Sequence, residues 1–416
     1  MKSKSGSIDY FLGILTLIAV SALLVSSGCS LFKRKPTPLE KDSGQDYSLI
    51  LSYAGQQAGK AFGVLEGGYP TYAQDGHWAK TGDCNWSRGM YPGMLWLLSQ
   101  STVDPQLGEM ARTWIEGLSE LKTDGSSFGL GLVFYPTYVA AYQVTGNRNY
   151  RDVALAAAET LALRFTRAGF FPAFGEPGDT VLGRRLSIES MMDLDLLYWA
   201  SEATGSKEYS RMASLHTLFT IRKMVSDDGK ILHMADFNPR TGEIYGERTG
   251  ELADNPQYGP KGYDPSTVWA LGQAWAVYGF TTAYRHEGNT IFLNAARKVA
   301  DYLVNHLPED GIPYWDFELP TSAAKQKDTS AAALTAAALC KLARSCPTAL
   351  DRERYHQAAY KIVKNLNINY FAKAGRDGVI DNGVYDFKHG LGVNGPTAWG
   401  DYFYIEAVLL LRDFKA

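Results

Sequence analysis

With 416 residues, 45% of them hydrophobic and 20% charged, the chain can bury a large core and has no stretch polar enough to predict disorder beyond an N-terminal linker. A net charge of -3 with mixed signs gives no basic field for tracking a polyanion, which excludes nucleic acid as a partner. The 25 tyrosines and 9 tryptophans are many, and flat rings with polar edges stack on sugar faces as well as fill cores.

The first predicted element is a leader. Lys2 and Lys4 precede the apolar run Phe11–Val25, which is too short for a comfortable membrane span and is followed by the small residues Ser26, Ser27 and Gly28. Residues 1–28 are therefore expected to be a signal peptide. The small-small-Cys ending resembles a bacterial lipobox, which implies that Cys29 becomes the acylated first residue of the mature protein. Ser30 behind it implies the outer membrane, with membrane contact through the lipid alone. Residues 29–47, containing Lys33-Arg34-Lys35-Pro36 and a Ser-Gly step, read as a polar lipidated tether outside the fold. The other cysteines, Cys84, Cys340 and Cys346, fit neither a disulfide framework nor a zinc site, and burial as small hydrophobes is expected.

Over residues 48–416 the apolar residues recur at helical spacing, and long alternating strand patterns are absent. The helices form hairpins with a recurring turn: Ala141-Tyr142-Gln143-Val144-Thr145-Gly146-Asn147, Ala200-Ser201-Glu202-Ala203-Thr204-Gly205-Ser206, and Ala283-Tyr284-Arg285-His286-Glu287-Gly288-Asn289. Glycine just past a helix supplies the left-handed residue that ends it, so the chain folds straight back. The unequal intervals between these glycines suit hairpins around a closed ring better than an open solenoid. Between the hairpins lie aromatic, Gly/Pro-rich segments at 86–92, 169–178, 236–265, 310–320 and 390–402. If these emerge at one end of the ring they form one aromatic-walled cleft, where function is expected.

Several segments together resemble family 88 of the glycoside hydrolases, the unsaturated glucuronyl hydrolases, and the related unsaturated rhamnogalacturonyl hydrolases. They are Asn85-Trp86-Ser87-Arg88-Gly89-Met90-Tyr91-Pro92-Gly93, Phe134-Tyr135-Pro136-Thr137-Tyr138, Met191-Met192, Trp269-Ala270-Leu271-Gly272-Gln273-Ala274-Trp275, Pro313-Tyr314-Trp315-Asp316-Phe317, Asp328-Thr329-Ser330 and Gly400-Asp401-Tyr402. Their order covers nearly the whole mature chain. The resemblance implies an all-α fold, an (α/α)6 barrel of six helical hairpins. It also implies an activity: hydration of the enol ether of a 4,5-unsaturated uronic acid at the non-reducing end of lyase-generated oligosaccharides, with no metal or other cofactor.

In the family the acid/base aspartate lies just before the Met-Met segment, and here that place holds Glu189. The same acid on a longer arm can serve if the backbone or substrate shifts to match. Asp193, one turn on, is read as structural. His233 matches a family active-site histidine, Lys261 stands where the family carries a glutamine upstream of its Trp-Ala segment, and Trp86, Trp269, Trp275 and Trp315 occupy pocket-lining positions. The family's second carboxylate follows a histidine in a His-Asp-x-Gly pattern. Here the stretch reads Phe128-Gly129-Leu130-Gly131, and Leu271 replaces a family arginine. Three activities stay open at this stage: the hydrolase, a lyase-like abstraction of the C5 proton on the same barrel, and non-catalytic capture of oligosaccharides by a lipoprotein. Asp124, Asp254 and Asp264 are candidate replacements for the missing carboxylate.

Overall fold

The computed structural model describes residues 47–414 apart from 80–84, 103, 127, 246–254 and 256. Residues 1–28, expected to be a signal peptide, Cys29, expected to be acylated, Cys84 and Asp254 lie outside the described residues. Cys340 and Cys346 are both buried free thiols.

Alternation of two helix types builds the ring. Helices α2 (Met90–Ser101), α7 (Leu194–Thr204), α9 (Ala270–Glu287), α11 (Thr329–Ser345) and α13 (Ala398–Arg412) are buried around most of their circumference. The remaining inner helix is broken: α4 (Leu130–Phe134) is buried throughout, and a π turn over Tyr135–Val139 joins it to α5 (Ala140–Thr145), where Ala141 is buried and the last turn is exposed. Pro136 lacks a donor N–H, which explains why the regular ladder is interrupted there. Each of these packs on its neighbours in the closed order α2, α4–α5, α7, α9, α11, α13 and back to α2.

The outer helices are α1 (Tyr47–Leu65), α3 (Pro105–Glu116), α6 (Arg148–Leu163), α8 (Lys207–Met224), α10 (Thr290–His306) and α12 (Ala349–Asn369). They bury one stripe each, as expected for helices with solvent on one side. Together the two sets make the expected six-hairpin (α/α)6 barrel, with the first and last helices, α1 and α13, in contact to close it. Deep between the inner helices, Glu406 of α13 meets Lys341 of α11 at 2.7 Å and the Tyr278 hydroxyl of α9 at 3.0 Å. Three walls of the ring are thereby tied together.

The glycine turns behave as read. Gly146, Gly205 and Gly288 have φ of 68°, 76° and 66°, and each returns its N–H to a carbonyl of the last helical turn. An added Cβ would meet nothing within 4 Å at any of them, so backbone conformation rather than space requires glycine. The following residue, Asn147, Ser206 or Asn289, caps the next helix with its side chain. Among the described residues there are three short antiparallel strand pairs: the hairpins β1–β2 (Ala73–Gln74, His77–Trp78) and β5–β6 (Gly383–Asp386, Leu391–Gly395), and β3–β4 (Arg185–Ser187, Met234–Asp236), whose strands are separated in the chain by α7 and α8. Among the described residues, no helix is long and apolar enough to cross a membrane.

Candidate active site

Strand β3 ends at Ser187 and runs straight into a 3₁₀ turn, Ile188–Asp193, that carries Glu189. Its partner β4 begins at Met234, paired with Ser187, so the residue before it, His233, is brought beside the turn. The Ile188 N–H donates to the His233 carbonyl at 3.0 Å, extending the ladder by one step. Two residues 44 apart in sequence thus become neighbours.

The histidine's hydrogen can be placed from its partners. The Lys261 backbone N–H donates to His233 Nδ1 at 2.9 Å, so that nitrogen is an acceptor. The ring hydrogen therefore sits on Nε2, which faces Glu189 Oε1 and Oε2 at 3.1 and 3.2 Å and donates to the carboxylate. Trp269 packs over the imidazole with ring centroids 4.4 Å apart. The Ser187 hydroxyl also donates to Glu189 Oε2.

A second, fully buried histidine stands behind the turn. His216 Nδ1 accepts from the Phe171 N–H at 3.1 Å, and its Nε2 lies 3.3 Å from the Ser190 hydroxyl, which donates to the Ser187 carbonyl. Burial drives the His216 pKa down to about 3, so this ring is neutral and acts as a fixed strut. Glu189 is held from two sides, with only 7% of its surface exposed.

That remaining surface lines a cavity of about 330 Å³. Trp86, Phe128, Phe174, Tyr258, Trp269, Trp275 and Tyr385 provide aromatic wall, and Lys261, Glu176 and Asp179 polar wall. Lys261 Nζ is paired with Asp386 at 2.8 Å and lies 5.0 Å from the centre of the Tyr385 ring. Asp386 also meets His389 Nδ1 at 2.8 Å, and these two partners hold its carboxyl below the usual range against the opposing effect of burial. Helix α9 begins beside this cavity, its N-cap residue Trp269 and its first-turn Leu271 both lining it.

Glu189, His233 and Lys261 therefore meet at one place, with Trp86, Trp269 and Trp275 around them. Trp315 is elsewhere: it is buried behind the wall, stacked on Phe387 at 4.7 Å between ring centroids. Asp193 is structural, its carboxylate accepting from the Gly129 N–H at 3.0 Å and the Gly131 N–H at 2.7 Å. Asp124 and Asp264 cap local turns through Ser126 and Ser266 and do not line the cavity. Sequence reading did not find Ser187, His216, Asp386, Tyr258 or Tyr385. Only Ser187 carried a signal, its place two residues before Glu189.

Two of the positions read from the sequence as departures from the family pattern lie on the cavity itself. Phe128 and Leu271 both line it. At Gly129, φ is 109° and an added Cβ would fall 2.3 Å from the Trp86 Cβ. No carboxylate can be carried there with Trp86 in this position.

The chain is 32% identical over 335 residues to the unsaturated glucuronyl hydrolase of Bacillus sp. (strain GL1), a match covering 79% of this chain and 86% of that protein. The chain belongs to the unsaturated glucuronyl hydrolase family. Another relative is the unsaturated chondroitin disaccharide hydrolase of Streptococcus agalactiae serotype III (strain NEM316), 30% identical over 83% of this chain and 86% of its own length. The solved structure of the Bacillus sp. GL1 unsaturated glucuronyl hydrolase superposes with a TM-score of 0.82 at 30% identity, covering 88% of this chain and 97% of that one. An unsaturated glucuronyl hydrolase specific for heparin gives 0.81 at 26% identity, covering 89% and 98%. No family model matches the chain.

Proposed function

We propose that this protein is a glycoside hydrolase that releases a 4,5-unsaturated uronic acid from the non-reducing end of lyase-generated oligosaccharides, with Glu189 as acid and base. The observation that carries this is the buried Glu189–His233 pair, which sets the Glu189 carboxylate on the wall of an aromatic cavity. A solved neighbour 29% identical to this chain holds dGlcA-Glc-Rha-Glc, whose first residue is such a sugar.

In the proposed reaction the Glu189 carboxyl gives its proton to C4 of the enol ether, and the positive charge that develops at C5 and the ring oxygen is met by water. The carboxylate left behind takes a proton from that water as its oxygen bonds to C5. The resulting hemiketal opens and releases the next sugar. His233, donating from Nε2, keeps the carboxylate aimed through both steps, and the Ser187 hydroxyl braces Oε2. Trp269 and Trp86 provide faces for the sugar, and Lys261 supplies a cation for the uronate. With Gly129 in place of the family aspartate, proton transfer falls to Glu189 alone.

Turnover is followed by the ultraviolet absorbance of the unsaturated uronate, which hydration removes. Wild-type protein should bleach unsaturated glucuronyl or galacturonyl disaccharides, and Glu189→Gln should lower kcat by roughly 100- to 10,000-fold. No bleaching by the wild type on either sugar, or a rise in absorbance on intact polyuronates, would defeat the hydrolase reading.

A further inference from the structure

The turn over residues 175–179 that walls the Glu189 cavity also walls a second space. Gly175, Glu176 and Asp179 line both the cavity and a groove of about 530 Å³. This groove is bounded by residues 163–167 at the end of α6, residues 180–184 ahead of β3, and residues 238–245 after β4. Arg164, Arg167, Arg184 and Arg240 line it against the two carboxylates Glu176 and Asp179. The Asp179 carboxylate is already engaged by the Val181 and Leu182 N–H groups at 2.7 and 2.9 Å. The groove is therefore positive on a chain whose net charge is -3.

The arginines are held in different ways. Arg164 is 4% exposed, its guanidinium donating to the carbonyls of Gly125 and Pro172, and it fixes charge into the wall. Arg184 lies 4.1 Å from the centre of the Tyr245 ring, which is 48% exposed and so presents a flat face next to a cation. Arg167 and Arg240 stand exposed at the rim. A planar guanidinium pairs with a sulfate or carboxylate through two parallel hydrogen bonds, and a ring beside it stacks on a sugar.

At about 330 Å³ the Glu189 cavity is at the small end of ligand sites, so a chain longer than its reacting end must leave it. We infer that the arginine groove is a distal subsite for the sulfate esters or carboxylates on sugars that follow the scissile bond. This rests on the hydrolase reading for which end of the chain enters first.

The test needs ligands that cannot react. Isothermal titration calorimetry of the purified full chain would compare a saturated heparin tetrasaccharide, a saturated oligogalacturonate tetrasaccharide and neutral cellotetraose, each at low and high salt. At least one anionic ligand should bind roughly tenfold or more tightly than cellotetraose, with an advantage that shrinks as salt rises. Preference for the heparin fragment identifies sulfate esters as the recognised group, and preference for the galacturonate identifies carboxylates. R167E/R240E should lose the advantage and R167K/R240K keep most of it. If the glutamate pair melts early by circular dichroism, R167Q/R240Q replaces it. Equal binding of charged and neutral ligands, or an advantage that survives removal of both arginines, overturns the subsite. Failure to hydrate an unsaturated disaccharide would defeat the hydrolase reading instead, since no titration here depends on turnover.

Discussion

Position 129 shows how tightly one residue can be fixed by its neighbours. Its backbone is in a conformation that costs an L-residue about 1–2 kcal/mol, and a Cβ there would overlap Trp86. Gly129→Ala should therefore destabilise the protein by roughly 2–4 kcal/mol, read as a lower urea midpoint. An unchanged midpoint would mean that Trp86 moves freely and that the space is not fixed. The Gly129 N–H donates to the Asp193 carboxylate. Glu189 could be read from the sequence because its neighbours Met191 and Met192 marked the place. Its setting could not, since Ser187, His216 and His233 are chosen by strand register and helix packing rather than by spacing along the chain.

At the scale of elements, the three hairpins that turn on Gly146, Gly205 and Gly288 were readable because a helix end has a chemical signature. The Gly-Asn or Gly-Ser step ends one helix and caps the next. Asn289→Ala should cost about 1 kcal/mol by removing the acceptor for the Ile291 N–H, seen as a lowered melting temperature. No loss would show that the hairpin is set by packing alone. Other turns use another device, with Asp104 capping α3 before Pro105 and Thr348 capping α12 after Pro347. The strands β3 and β4 escaped notice because three residues are too few for an alternating pattern to stand out, yet they align Glu189 with His233.

Across the whole molecule, several carboxyls are buried by closing the ring. Desolvation lifts Asp193 and Asp328 to about 6 and Asp401 to about 7, against an ordinary value of 3.8. Between pH 4 and these values the folded chain holds protons that the unfolded chain has lost, so stability from these groups rises as pH falls through 7 and 6. His216, depressed to about 3, works in the opposite direction below 6.5 by refusing a proton that the unfolded chain accepts. Three groups outweigh one, so the melting temperature should be higher at pH 5 than at pH 7.5. Asp193→Asn should reduce that gain by roughly the share of a single proton, and a melting temperature that falls on acidification to pH 5 would contradict it.

The sequence by itself determined the helical hairpins and the family, because helix periodicity, capping and short motifs are local properties written in consecutive residues. The tertiary structure decided which side chains face the cavity. It sent Trp315 behind the wall, brought Tyr258 and Tyr385 into it, joined Lys261 to Asp386 and set arginines from three separate segments around one groove. Those placements depend on how distant helices pack and loops cross, and no stretch of chain encodes them alone.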